Sequence, residues 1–280
     1  MKSTIAINTL AFHGYSLDTA LEEIARLTEY VEPVFIAKYD PSLSEEYFNE
    51  NNARLLSKRL KELGLEVRSV GSHMDIGQPD SVAVFKKRMD FAKAIGAEII
   101  LTNAGHKSRE AAFYNNMEEL ALYAERLDLI IAFENPGDGQ DQLLETGIQG
   151  LSILDRIGSD RVKLNYDFSN VFTYSKGIRH PGQELEVVIA SLGHLHLKNV
   201  KAREGQWPVC GIGEGIIDYR SLFRRFPALL NVPMSIELPL RFAYDARFDF
   251  ILRETSRLPL EHIRTVLTGS LKYLKATDSS

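Results

Sequence analysis

The chain has one cysteine, Cys210, in 280 residues, so a disulfide framework cannot hold it together. A reducing compartment is the expected setting. Glycine (19) and proline (10) are too few for a collagen-like or low-complexity chain. No apolar run approaches the roughly 18 residues that cross a bilayer. The opening MKSTIAINTLAFHG has no apolar core with a small-residue cleavage site, so no leader is expected. Positive charge is not in excess. Lys and Arg number 33 against 38 Asp and Glu, for a net charge of −5. Nucleic acid or an anionic membrane would want a basic face, so neither is an expected partner. The expectation is a cytoplasmic protein.

What remains is ordinary globular material, 44% hydrophobic and 25% charged. A chain this long buries a sizeable core without staples. Short apolar runs appear at Thr4–Ile7, Pro33–Ala37, Val67–Val70, Glu98–Leu101, Leu129–Phe133, Val162–Tyr166, Leu192–Leu197 and Pro233–Leu238. They recur roughly every 32 residues, and a helical pattern follows each. Leu17–Leu27, Ala53–Gly64, Ser81–Gly96 and Met117–Leu127 are such patterns. Alternating strands and helices imply a parallel sheet with helices outside. Eight units can close it, and an eight-stranded α/β barrel needs about 250 residues. An open doubly wound sheet would show a Gly-rich fingerprint after its first strand, and INTLAFHG has none. The fold class expected is a single (β/α)8 TIM barrel, with residues 1–280 as one domain.

Barrels of this kind carry their chemistry at the C-terminal ends of the strands. The last four runs each end in a residue able to ligate a metal: Glu134 in IIAFE, Asp167 in KLNYD, His196 in LGHLH and Glu237 in PMSIE. Side chains alternate along a strand. With these four inward, Ala132, Asn165, His194 and Ser235 share the interior. Ile131, Phe133, Leu164, Tyr166, Leu195, Leu197 and Ile236 then face the helices, so one register satisfies every strand. Three carboxylates gathered at one rim cannot all stay ionised without compensation, and a divalent cation supplies it. Three carboxylates and one imidazole favour Mn2+ first, then Mg2+ or Co2+, with Zn2+ also able to fit.

These strand ends, with GHLHLKNV (Gly193–Val200) and VCGIGEGIIDYRSLF (Val209–Phe223), resemble the xylose isomerase-like TIM barrels. That superfamily holds sugar and sugar-phosphate isomerases and epimerases, inosose isomerases and dehydratases, and endonucleases. The resemblance places Glu134, Asp167, His196 and Glu237 at the metal-ligand positions. It places Glu134 and Glu237 as the proton-transferring, catalytic residues of the epimerase branch. Family members often carry histidine three residues after the aspartate, where it contacts substrate. Here that position is Asn170, which can donate a hydrogen bond but cannot act as acid or base near neutral pH.

Further substrate-binding candidates lie on the same rim. His73 follows the third strand and His106 the fourth. Lys198 matches the family's H-x-K pattern and could meet a hydroxyl, carboxylate or phosphate as a point charge. Arg241 follows Glu237 in the last loop. Gly211, Gly213 and Gly215 lack the Lys-Ser/Thr of a phosphate loop and read as loop geometry before a helix at Ile217.

A metal held this way suits proton abstraction beside a carbonyl, through a metal-stabilised enediolate. Two glutamates on opposite faces would invert a carbon, and return to the neighbouring carbon would isomerise. Loss of a β-hydroxyl would be dehydration. The expected activity is a divalent-metal-dependent isomerase or epimerase of a small-molecule carbohydrate or polyol. An inosose-type dehydratase is the alternative. An endonuclease-type phosphodiesterase or a non-catalytic sugar-binding barrel is less favoured. A homo-oligomer is compatible with the resemblance.

Overall fold

The structure, a computed structural model, describes residues 4–137 and 141–276. Its wall is β1 (Ile5–Asn8), β2 (Tyr30–Glu32), β3 (Glu66–Val67, continued by Ser69–Asp75), β4 (Ile99–Asn103), β5 (Ile130–Glu134), β6 (Val162–Asp167), β7 (Leu192–Leu197) and β8 (Met234–Ile236). Counted piecewise, these are nine parallel strands in one sheet. The two pieces of β3 bring its ends together. Glu66–Val67 pairs with β2, while Ser69–Asp75 pairs with β4. A further bridge joins Val34 to Gly71. The α/β barrel architecture expected from the repeat is the one observed.

Helices pack around this wall: α1 (Leu17–Ala25), α2 (Glu50–Leu63), α3 (Ser81–Ala94), α4 (Glu110–Leu127), α5 (Gly147–Ile157), α6 (Phe168–Tyr174), α7 (Leu185–Val188), α8 (Tyr219–Arg225) and α9 (Leu260–Lys275). Local chemistry sets their ends. The Asn49 side chain accepts from Asn52 N–H to start α2, and Gly64 ends it at φ +68°, a left-handed conformation that costs glycine little. Thr146 and Gln149 cap α5 reciprocally. The outward strand residues Ile131, Phe133, Leu164, Tyr166, Leu195, Leu197 and Ile236 are buried against the helices in the main core. Burial of each large side chain stabilises by about 1.5–3 kcal/mol. Inside the barrel, Ile99, Leu101 and Ala132 form a separate apolar cluster.

The second strand differs from expectation. It is Tyr30–Glu32, upstream of the apolar run Pro33–Ala37. Pro33 has no N–H to give the ladder, and beyond it only Val34 makes an isolated bridge. Helices α2 and α4 begin earlier than their apolar periodicity suggested, at Glu50 and Glu110. The helix expected at Ile217 starts at Tyr219, because the Asp218 side chain caps it.

A small antiparallel sheet of Asn199–Val200, Trp207–Cys210, Phe242–Tyr244 and Phe250–Leu252 stands beside the β7 and β8 ends. Among the described residues, no helix is long and apolar enough to cross a membrane.

Candidate metal centre and active site

Register brings the strand-end residues to one level. Asp167 lies opposite His196 across β6 and β7, and His196 lies opposite Ser235 across β7 and β8. Glu237 continues the last ladder, its N–H donating to Leu197 O at 3.0 Å. Asn135 ties β5 to β6: its Nδ2 donates to Asp167 O (3.0 Å) and its Oδ1 accepts from Asp167 N–H (2.9 Å). Tyr219 Oη fixes the strand past His196, accepting from Lys198 N–H and donating to Lys198 O at 2.6 Å.

Glu134, Asp167, His196 and Glu237 are all buried, and each offers a ligand atom within 4.8 Å of the others. His196 Nδ1 lies 2.6 Å from Glu134 Oε1 and 3.7 Å from Glu237 Oε1. Lys198 Nζ lies 2.6 Å from Asp167 Oδ2 and 3.1 Å from Glu237 Oε2. His73 Nδ1 sits 3.3 Å from Glu134 Oε2 and 3.1 Å from Asn103 Oδ1. A cavity of about 140 Å3 opens above them, lined by His73, Asn103, Glu134, Asn170, Lys198 and Glu237, with Tyr39, Tyr244 and Phe250 among its walls. A larger groove of about 930 Å3 lies on the outer surface, where Ile130 and Arg161 mark the opposite ends of the strands. Barrel chemistry is not sited at that end.

The electrostatics are those of a site short of positive charge. Burial pushes the Asp167 carboxyl up, the Glu134 and Glu237 carboxylates add to it, and Lys198 only partly offsets them, leaving it at about 7. Burial would raise Glu237 too, but the Lys198 ammonium and His196 outweigh it and hold it at about 2. Burial opposes charge on His196. The carboxylates of Glu237, Glu134 and Glu32 reverse that and hold its pKa well above 6.5. Lys198 is likewise kept charged against burial by Asp167 and Glu237.

Asp167 also carries an orphaned atom. Its Oδ1 accepts from Asn170 N–H at 2.9 Å. Its Oδ2 is buried with no hydrogen bond of acceptable geometry, despite the nearby ammonium. A carboxylate oxygen without a hydrogen bond, beside one ammonium and among two more carboxylates and an imidazole, is the donor chemistry of a divalent-cation site.

The other candidates divide. His73, Asn170 and Lys198 line the cavity. Asn170 is held by donating from Nδ2 to Asn135 O (2.9 Å) and accepting from Tyr244 Oη–H (3.2 Å). His106 does not line it. Its Nδ1 accepts from Ser108 N–H at 3.1 Å and caps the turn Lys107–Arg109. Arg241 is also outside, because its guanidinium is engaged by the backbone carbonyls of Glu254, Thr255 and His13. The glycine loop wraps Asn199, whose Nδ2 donates to Ile212 O and Ile217 O. A side chain at Gly215 would meet the Asn199 amide at 2.2 Å.

Sequence reasoning missed Glu32, Asn103, Asn135, Tyr39 and Tyr244. Glu32 was findable. It ends β2 as the other four end or follow their strands, but the strand had been placed one run too late.

The family model described as xylose isomerase-like TIM barrel matches residues 21–252. The chain belongs to that family. No curated protein sequence is similar enough to count as a match. Among solved structures, the chain resembles a D-allulose 3-epimerase from Methylomonas sp. (17% identity, TM-score 0.71, 99% of this chain and 98% of that one). It also resembles the probable 3-DHS dehydratase AsbF from Bacillus anthracis, involved in petrobactin synthesis (16%, 0.69, 98% and 99%). A third is a xylose isomerase-like TIM barrel protein from Mycobacterium smegmatis in complex with magnesium (18%, 0.66, 96% and 98%). At these identities the likeness speaks to the fold.

Proposed function

We propose that this protein is a divalent-metal-dependent isomerase or epimerase of a small carbohydrate or polyol carrying a carbonyl. The observation that carries the reading is the convergence of Glu134, Asp167, His196 and Glu237 on one buried point beneath a small polar cavity. Those four residues would hold the ion, with Mn2+ the first choice and Mg2+, Co2+ or Zn2+ compatible. When bound, such an ion supplies Lewis acidity to polarise a carbonyl and positive charge to balance the developing oxyanion.

The chain's own groups do the rest. Glu134 and Glu237 both line the cavity, and each offers a carboxylate to a C–H beside the carbonyl. One removes the proton and the other delivers it, which inverts the carbon; delivery to the adjacent carbon isomerises. His73 and Asn103 hold each other at the Glu134 side and present hydrogen-bonding groups to substrate hydroxyls. The Asn170 amide, locked by Asn135 and Tyr244, orients a hydroxyl without titrating. Tyr39, Tyr244 and Phe250 narrow the mouth and limit water around the reacting carbon. The D-allulose 3-epimerase neighbour makes a keto-sugar the first substrate class to try.

A dehydratase is the second reading, and Lys198 is the observation that favours it. An ammonium kept charged inside the cavity can protonate a departing β-hydroxyl or pair with a substrate anion. The dehydratase among the structural neighbours points the same way.

The test is a panel of ketoses and inososes with the Mn2+-loaded protein in deuterated water. Wash-in of deuterium at the carbon beside the carbonyl, lost in Glu134→Gln or Glu237→Gln, supports the reading. A conjugated carbonyl product absorbing in the ultraviolet would replace isomerisation by dehydration. No exchange and no turnover on any member would remove the proton-transfer reading.

A further inference from the structure

Beneath the four converging residues lies a second cluster that the proposed chemistry does not use. Its centre is Glu32, fully buried and absent from the cavity wall. Groups from three other strands face its two oxygens. Oε1 accepts from Asn8 Nδ2 at 2.6 Å and from His196 Nε2 at 2.9 Å. Oε2 accepts from Ser69 Oγ and lies 3.2 Å from His194 Nε2. His194 and Asn165 complete a ring, with His194 Nδ1 donating to Asn165 Oδ1 at 2.9 Å. A buried carboxylate is costly unless so surrounded. This one cannot reach substrate, so its position requires another explanation.

The arrangement decides which nitrogen of His196 faces upward. A carboxylate has no proton to give, so the 2.9 Å contact places the hydrogen on His196 Nε2. By the same rule Nδ1, which points at Glu134 and Glu237, carries a hydrogen toward Glu134 Oε1 at 2.6 Å in the metal-free chain. An ion would displace that hydrogen and leave the lone pair on Nδ1, while Glu32 keeps the one on Nε2. Glu32 also puts negative charge behind the ring, which strengthens an imidazole as a donor to a cation.

We infer that Glu32 is a positioning residue of the metal centre: it holds His196 in the Nε2–H tautomer, with Nδ1 aimed at the ion. The inference rests on the metal reading proposed above. The two are separable. Failure of Mn2+ to bind the unaltered protein sinks that reading, whereas this one depends on the difference made by Glu32.

The experiment compares the metal-stripped full chain with Glu32→Gln and Glu32→Asp by Mn2+ titration calorimetry, with thermal melts to confirm folding. Glu32→Gln is expected to weaken Mn2+ binding about 10–100-fold, and Glu32→Asp, which keeps the charge on a shorter arm, to fall between. Should Glu32→Gln fail to fold, the unaltered protein still decides. Loaded with diamagnetic Zn2+, it is expected to show the His196 proton on Nε2 in long-range proton–nitrogen correlation spectra of isotope-labelled histidine. A His196 proton on Nδ1 would overturn the inference, as would unchanged affinity in a folded Glu32→Gln protein. So would two ions in the unaltered chain falling to one in Glu32→Gln, because Glu32 would then be a ligand.

Discussion

Two layers of the barrel interior hold the same kinds of side chain in opposite conditions. In the lower layer Glu32 meets Asn8, Ser69, His194 and His196, and its charge is satisfied by donors. In the upper layer Glu134, Asp167 and Glu237 share Lys198 and His196, and Asp167 Oδ2 is left without a hydrogen bond. The lower layer is complete as folded and never meets the cavity. The upper one is incomplete and opens onto it. A protein retains such an imbalance where a ligand will relieve it, and the lower layer shows that this fold can satisfy a buried carboxylate when nothing further is needed.

The largest effect that can break this contrast comes from the cavity glutamates. Glu134→Gln or Glu237→Gln is expected to lower kcat and C–H exchange about 10²–10⁴-fold, with little change in the melting temperature. Asp167→Asn should separate function from stability. Loss of Mn2+ affinity is expected to exceed the roughly 10–100-fold cost of a lost supporting contact. The metal-free protein should lose less than about 1 kcal/mol, because the Lys198 ammonium that Asp167 meets keeps Glu237 as a partner. Equal destabilisation by Asp167→Asn and by a lower-layer change would erase the distinction.

Proton competition sharpens the same point. Burial and the neighbouring carboxylates raise the Asp167 carboxyl to about 7, and the carboxylates around His196 raise its imidazole as well. The ion must displace the proton on each, so Mn2+ affinity should strengthen as pH rises through about 7, with protons released on binding. For the metal-free chain the sign reverses. A raised Asp167 pKa contributes stability that is complete below the ordinary 3.8 and is lost as pH rises through about 7. Calorimetry in buffers of different ionisation enthalpy, with melts across the same range, reads both. In the lower layer, Ser69→Ala removes a donor from buried Glu32 and should cost about 1–3 kcal/mol, measured by urea unfolding. Smallest is Arg241→Lys, which loses part of the carbonyl clamp. It should cost about 1 kcal/mol and leave Mn2+ affinity unchanged; a changed affinity would return Arg241 to the site.

The upper layer was legible because its residues end or follow apolar runs in one alternating register, and neither fact needs a partner strand. The lower layer was not. Glu32 sits between Val31 and Pro33, and the apolar run that follows pulled the expected strand past it. His106 and Arg241 were candidates by position in rim loops, but a loop leaves side-chain direction open. One caps a turn and the other clamps three carbonyls. Lys198 was expected at the substrate; its ammonium rests between Asp167 and Glu237, a placement set by two other strands.

The sequence by itself determined the alternation of strand and helix, the outward apolar faces, and that Glu134, Asp167 and Glu237 fall at or just past strand ends. Those are local properties, written in periodicities of two and 3.6 residues. Only the closed barrel decided that Glu32 lies under His196, that Asp167 Oδ2 meets an ammonium without a hydrogen bond, and that Arg241 turns away. Each of these depends on distances between residues far apart in the chain, and such distances exist only once the cylinder has closed.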